Sequence, residues 1–173
     1  MSDLTNQIIV LSESSKNGEV VHLGLSKEEM RGRILAMQTQ MQKAQDSGEI
    51  EKCDLNEVFP LRHIFAPGAY AREMTLPAGH WIIGKIHKHA HLNFISKGRV
   101  AVLTEEGVMF MSAPYTFVSS VGTKRFVLVL EDTIWTTVHI TDKTDLEEIE
   151  QEVIAKTYDE VPSLEHQKVK EIL

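Results

Sequence analysis

The sequence predicts a mainly β protein: an all-β sandwich or barrel over residues 60–141, with a helical segment on either side. Two observations carry this. From Pro60 onward the apolar residues fall into short β-branched and aromatic runs: AYAREMTL, HWIIGKIH, HLNFIS, RVAVLT, GVMFM, YTFVSS, RFVLVL and TIWTTVHI. Between them stand turn formers, namely Pro77-Ala78-Gly79, Lys97-Gly98, Glu106-Gly107, Ala113-Pro114, Gly122 and Glu131-Asp132. Strands that recur about every 8–12 residues with such punctuation read as an antiparallel sandwich or barrel. The second observation is that no helical periodicity interrupts the runs, which removes the crossover helices a parallel sheet needs.

Residues 1–59 form an N-terminal arm. It opens on a short apolar run, Ile8 to Leu11, followed by the polar stretch SESSKNGE. Ser26 with Glu29 fits a capping box, in which each side chain satisfies a backbone N–H left open at a helix start. Met30, Ile34, Met37 and Met41 then recur at spacings of four, three and four. That is one apolar face of a helix from Lys27 to about Gln45, stopping near Ser47-Gly48. The stripe has to be covered, either by the barrel or by a partner chain. Beyond the barrel, in residues 142–173, Thr144 with Glu147 repeats the capping pattern. Leu146, Ile149 and Val153 supply a stripe for a helix to about Lys156. Asp145, Glu147, Glu148 and Glu150 crowd its first turns, where the helix dipole favours acids. After Pro162 the tail is polar and is expected to be loose.

The 173 residues give room for one domain with appendages. With 42% apolar and 25% charged residues the composition is that of a globular chain, which excludes disordered and collagenous classes. No apolar run approaches the roughly 20 residues of a membrane span. The N-terminus lacks the basic start and long apolar stretch of a secretory signal. The single cysteine, Cys53, allows no intrachain disulfide, so the expectation is a soluble protein of the reducing cytoplasm. A net charge of −7 argues against broad nucleic-acid binding. A barrel of about 80 residues has a limited core, and its flanking helices carry apolar stripes, so a homo-oligomer, a dimer in the first instance, is expected.

The stretch IHKHAHLNF carries the chemistry. His87, His89 and His91 are spaced by two, so in a regular strand all three point to one face. Imidazole suits zinc, iron, copper and nickel, and two histidines at i and i+2 can share one ion. Three cannot on a regular strand: at a rise of about 3.3 Å per residue the outer two stand about 13 Å apart, whereas metal–nitrogen bonds are only about 2 Å, so one histidine serves another purpose unless a bulge bends the strand. A further ligand must come from elsewhere. His139 ends the last strand on the face it shares with Trp135 and Thr137, and it is the best placed. His63 and His80 are weaker candidates, and His22 and His166 lie outside the barrel. Tyr70, Tyr115 and Trp81 suit a barrel core.

With those residues in view, LPAGHWIIGKIHKHAHLNFISKG followed by APYTFVSSVGTKR resembles the cupin superfamily of small antiparallel jelly-roll barrels. The resemblance covers about residues 60–141. It implies a first block of His-x-His, an acid and a turn glycine, then a second block of Pro-x-Gly and a third histidine. With His87 and His89 as the pair, the acid falls on Asn93 or Phe94. With His89 and His91 it falls on Ile95 or Ser96. Counting back from Gly98 puts His91 where the acid belongs. His89 belongs to both pairs. In the second block Gly122 fits the turn, Ser120 replaces the proline, and Arg125 stands where the third histidine is expected. Arginine donates only and cannot ligate a metal. Facing inward, it suits a carboxylate or phosphate; otherwise Lys124-Arg125 is a charged strand start at the rim. The order of helix, barrel and WTTVHITDKTDLEEIE also resembles small cupin-like proteins of tailed phages, which implies the host cytoplasm or the virion as location.

These readings imply a cupin-like antiparallel jelly-roll barrel with an N-terminal helical arm and a C-terminal helix. Its histidine-lined pocket is expected to bind a divalent transition metal (zinc, iron, nickel or manganese) through His87, His89, His91 and His139. A small anionic or sugar-like ligand would be held by Arg125, Asn93 and Tyr115. Three roles stay open: a non-catalytic binding or assembly module, a metal-dependent enzyme acting on a small polar metabolite, and a phage structural or interaction protein. No catalytic residue is assigned. The sequence carries no Walker loop, dinucleotide fingerprint, HExxH or paired cysteines.

Overall fold

The computed structural model describes residues 15–49 and 55–161. The apolar run at Ile8–Leu11, Cys53, His166 and the tail after Pro162 lie outside the described residues. The elements run in the order β1 (Val20–Val21), α1 (Lys27–Asp46), α2 (Leu55–Val58), β2 (Leu61–Ala66), β3 (Ala69–Leu76), β4 (Trp81–Ile83) and β5 (Ile86–His87). They continue with β6 (His91–Thr104), β7 (Gly107–Ser112), β8 (Tyr115–Ser119), β9 (Phe126–Ile140), α3 (Leu146–Val153) and β10 (Ile154–Ala155), closing on a 3₁₀ turn at Tyr158–Glu160. All the strand pairings are antiparallel.

Two long strands are the spine. β6 pairs with β8 through its first half, with β7 through its second, and with β9 along its other edge. β9 in turn pairs with β4 near its start and with β3 near its end. The runs HLNFIS and RVAVLT, read as two strands, are therefore one, as are RFVLVL and TIWTTVHI. The turn signals between them mark bends. The β6–β9 register slips at Ile95/Lys97, Lys97/Arg99 and Arg99/Val100, and such irregularities let a strand fold over to close a barrel. Gly98 sits in that bend at φ 83°, and a Cβ there would lie 2.2 Å from the Asp132 carbonyl oxygen, so only glycine fits.

Alternation along the spine gives the sheet two apolar faces. Val100, Val102, Val127 and Val129 turn into the barrel, where they pack with Leu76, Ile95, Met111 and Trp135. Ala101, Leu103, Phe126 and Leu128 turn outward, beside Val108 and Phe110 of β7. Met30 and Ile34 of α1 bury against that outer face, with Met37 at its margin. The first part of the helical stripe is thus covered by the chain's own barrel, and Met41 lies beyond it. The capping box at Ser26 is present in both directions, and the helix runs one residue past its expected end. Arg31 and Lys27 pair with Glu105 and Glu106 in the β6–β7 turn.

The C-terminal helix differs from expectation at both ends. Asp145, not Thr144, is the N-cap, its carboxylate accepting from the Glu147 and Glu148 amides. The helix stops at Val153, short of Lys156, because Ile154 and Ala155 are drawn into a ladder with His87 and Ile86.

Ile34→Ala removes a side chain 1% exposed between helix and sheet, and should cost about 2–4 kcal/mol in urea unfolding. Met41→Ala, beyond the buried part of the stripe, should cost much less; equal losses would contradict this packing.

Candidate functional site

Three strands deliver three histidines to one end of the barrel. On β6 the residues His91, Asn93 and Ile95 are buried while Leu92 and Phe94 are exposed, the alternation of a strand with one dry face. On β9 the inward set is Thr133, Trp135, Thr137 and His139. Leu92 stands opposite Val138, so the next position brings His91 beside His139. His87 comes from β5, which is held by β10 on one side and by the Gly122 amide donating to the His87 carbonyl (2.8 Å) on the other.

The regular-strand geometry expected for residues 87–91 does not hold. The strand breaks after His87, and 88–90 form a bend before β6 begins at His91. The turn folds the outer histidines together: the His87 and His91 ring centroids are 4.2 Å apart, with His139 at 5.3 Å from His87 and 4.8 Å from His91. One ring nitrogen from each falls within 4.8 Å of the others. His89, at the tip of the bend, is exposed and not in this cluster. It contributes its backbone carbonyl, which lies 3.1 Å from His91 Nδ1.

That contact fixes the chemistry of His91. A carbonyl only accepts, so Nδ1 carries the proton and Nε2 keeps its lone pair. Nε2 of His91 and Nδ1 of His87 are both buried with no hydrogen-bond partner. Burial holds all three imidazoles neutral. His87 is pushed down to about 2, chiefly by desolvation and then by His91, His139, Arg125 and Arg72. His91 falls to about 3, again by desolvation first. His139 falls to about 4 by desolvation, then Arg72 and His89.

Two cavities flank the cluster. The outer one, about 300 Å³, lies beneath α3 and is bounded by His87, His139, Tyr70, Arg72 and Ile149. Ile149 and Val153 of α3 pack on Tyr70. The Tyr70 ring lies near-parallel to that of His139 (centroids 6.3 Å apart), and its hydroxyl is 2.7 Å from His63 Nδ1. The inner cavity, about 80 Å³, runs into the barrel past His87, Asn93, Arg72 and Arg125. Asn93 is fully buried and spends its amide on structure. Its oxygen accepts from the Trp135 indole (2.9 Å), and its nitrogen donates to the Ser119 hydroxyl (2.7 Å).

Arg125 is not a rim residue. It is 8% exposed, donates to the Ser119 hydroxyl and sits over the Phe117 and Trp135 rings at 5.7 and 5.9 Å. Burial lowers its pKa to about 10. Tyr115 is placed elsewhere: four residues along β8 from Ser119, its ring packs on Phe117 and its hydroxyl abuts Gly18. Of the remaining histidines, His22 and His80 are exposed and outside the cluster. Arg72 was missed in the sequence. It shares the inward face of β3 with Tyr70 and Met74, opposite Thr137, and an arginine at an inward position of AYAREMTL was a legible signal.

No protein-family model matches the chain, and no curated protein does. Among solved structures it is similar to KdgF from Halomonas sp., at 17% identity over 57% of this chain and 91% of that one, with a TM-score of 0.45. It is also similar to a cupin 2 domain-containing protein from Halorhodospira halophila, at 11% over 59% and 81%, with a TM-score of 0.44. A third is a salicylate 1,2-dioxygenase from Pseudaminobacter salicylatoxidans, at 10% over 66% and 34%, with a TM-score of 0.48. Likeness at this level is confined to the β fold. The chain is a mainly β antiparallel barrel with three buried histidines close enough together to hold a metal ion.

Proposed function

We propose that the protein binds a divalent transition metal through His87, His91 and His139, and that it acts as a binding module. The observation that carries this is the pair of buried, unpartnered ring nitrogens, His87 Nδ1 and His91 Nε2, facing a third imidazole. A buried polar atom without a partner costs about 1–3 kcal/mol, so such atoms persist where something else satisfies them. The 4.8 Å spread is wider than the roughly 3.4 Å between donors of a tetrahedral site with 2.0–2.1 Å bonds, a gap that small ring rotations close. The His91 Nδ1–H to His89 carbonyl contact is the outer support that ligating imidazoles commonly have. Imidazole donors suit zinc, iron and nickel.

A three-histidine set leaves one position open, which also suits a metal-dependent enzyme. The binding reading is preferred because the three histidines are committed as ligands and the one acid lining either adjoining cavity, Glu150, is paired with Lys85.

Protein dialysed against a chelator and titrated calorimetrically with zinc chloride should take up about one ion per chain and melt at a higher temperature. His91→Ala and His139→Ala should each abolish uptake, while His89→Ala should retain it. A wild type that takes up no metal, or a His89→Ala variant that alone loses it, would refute the assignment.

Acid stability gives a second test. In the metal-free fold the three imidazoles stay neutral down to about 4, 3 and 2, whereas in the unfolded chain each protonates near 6.5. Below about pH 6.5 the unfolded state therefore binds more protons, and stability falls as pH falls, by up to about 4 kcal/mol per pH unit for three groups. Urea midpoints from pH 7.5 to 4.5 should drop steeply below 6.5, and less steeply in His139→Ala. A flat profile would contradict burial of neutral histidines.

A further inference from the structure

We propose that the inner cavity binds a small organic carboxylate, gripped by the guanidinium groups of Arg125 and Arg72. This site is distinct from the three-histidine centre and stands whether or not that centre takes a metal.

The cavity is built for one negative charge. Arg125, more than nine-tenths buried, faces it, and no carboxylate of the described residues pairs with that cation. Arg72 reaches it from β3, and its Nε is buried with no hydrogen-bond partner. No acid lines the space. An uncompensated buried cation is expensive, and a charge-assisted pair is the usual remedy. The guanidinium fork matches the two oxygens of a carboxylate. The Ser119 hydroxyl accepts from both Arg125 and Asn93, while Asn93 is anchored by Trp135; this chain holds the Arg125 fork in place.

Size and lining narrow the ligand. About 80 Å³ is the share of two or three liquid waters, far below the 300–1,000 Å³ or so of a pocket for a drug-sized molecule. A sugar-like ligand is therefore disfavoured in this cavity. Leu76, Ile82, Val127 and the Trp135 ring give it apolar walls, and Lys85 and Thr137 also stand on its lining. A short aliphatic acid places its carboxylate on the arginines and its carbons on those walls. Inorganic phosphate shares the oxyanion chemistry but has no carbon to cover the apolar walls, which a short aliphatic acid buries.

The test uses metal-free full-length protein, so that an anion cannot act through a bound ion. Melting temperature is followed against sodium acetate, propionate, butyrate and phosphate, with sodium chloride at matched ionic strength as the blank. The carboxylates should raise it by several degrees with saturation and phosphate should not; Arg125→Gln should weaken the response about tenfold or more. Arg125→Met, which removes the buried charge at similar volume, should melt no lower than the unliganded wild type and show no response. A wild type that answers all salts alike overturns the proposal, and a response to phosphate alone reassigns the site to an inorganic oxyanion and overturns the carboxylate. If Arg125→Met fails to fold, the wild-type titration and Arg72→Gln, expected to lose the response, still decide. Zinc uptake measured in parallel separates the two readings: a carboxylate response without zinc uptake sinks only the metal.

Discussion

The controlling constraint in this barrel is the cost of positive charge in a dry interior without an acid to offset it. His87, His91 and His139 converge at one end; His87 lines the inner cavity with Arg72 and Arg125, where no Asp or Glu stands, and Glu150 lines only the outer cavity. Desolvation is the largest influence on all three histidines, and the arginines press in the same direction. The imidazoles respond by staying neutral, which leaves lone pairs available to a metal. A guanidinium has no such escape, because it remains protonated even when burial lowers its affinity. One constraint thus acts in two ways: a group that can shed its proton is left a neutral electron-pair donor, and one that cannot stays a buried cation.

The scaffold enforces this arrangement through backbone pairing. β6 and β9 each bend and serve two neighbours, which sets His91 beside His139 at one end and keeps valines packed at the other. His87 needs a separate anchor because it precedes a bend, and the short β5–β10 ladder supplies it. The same ladder stops α3 at Val153 and leaves the helix lying over Tyr70 and the outer cavity. Lys85 pairs with Glu150, and Lys88 donates to the Gln151 carbonyl, fastening the bend to that helix. Displacement of α3 would therefore be felt at His87, which with Arg72 borders both cavities.

Much of this was legible in the sequence, and the gaps have physical causes. Local signals served well where the local term dominates: the Ser26–Glu29 box begins α1, and Met30 and Ile34 face a core. Alternation placed Trp135, Thr137 and His139 on one face. Turn signals misled where tertiary closure overrides them, since Lys97-Gly98 and Glu131-Asp132 bend continuous strands where separate ones were expected. Thr144 lost the cap to Asp145, whose carboxylate reaches two amides. The histidine geometry was hidden because strand spacing holds only while the strand continues, and nothing in Lys88-His89-Ala90 announces the bend that joins His87 to His91.

Arg125 explains why the centre sits where it does. The family resemblance expects a metal-binding histidine at that position, and a dication beside a buried guanidinium would meet repulsion where it expected a ligand. The three imidazoles that do converge include His139, from the far end of the last strand, so the cluster lies toward the outer cavity and α3. Arg125 remains on the inner side with Ser119 and Trp135. His87 and Arg72 border both spaces. An anion on the inner side would lower the potential at His87 and so favour a cation on the outer side, while a cation there would tighten the anion. By linkage the two effects are equal in free energy. If both proposals hold, two oppositely charged ligands would report on each other across His87 and Arg72.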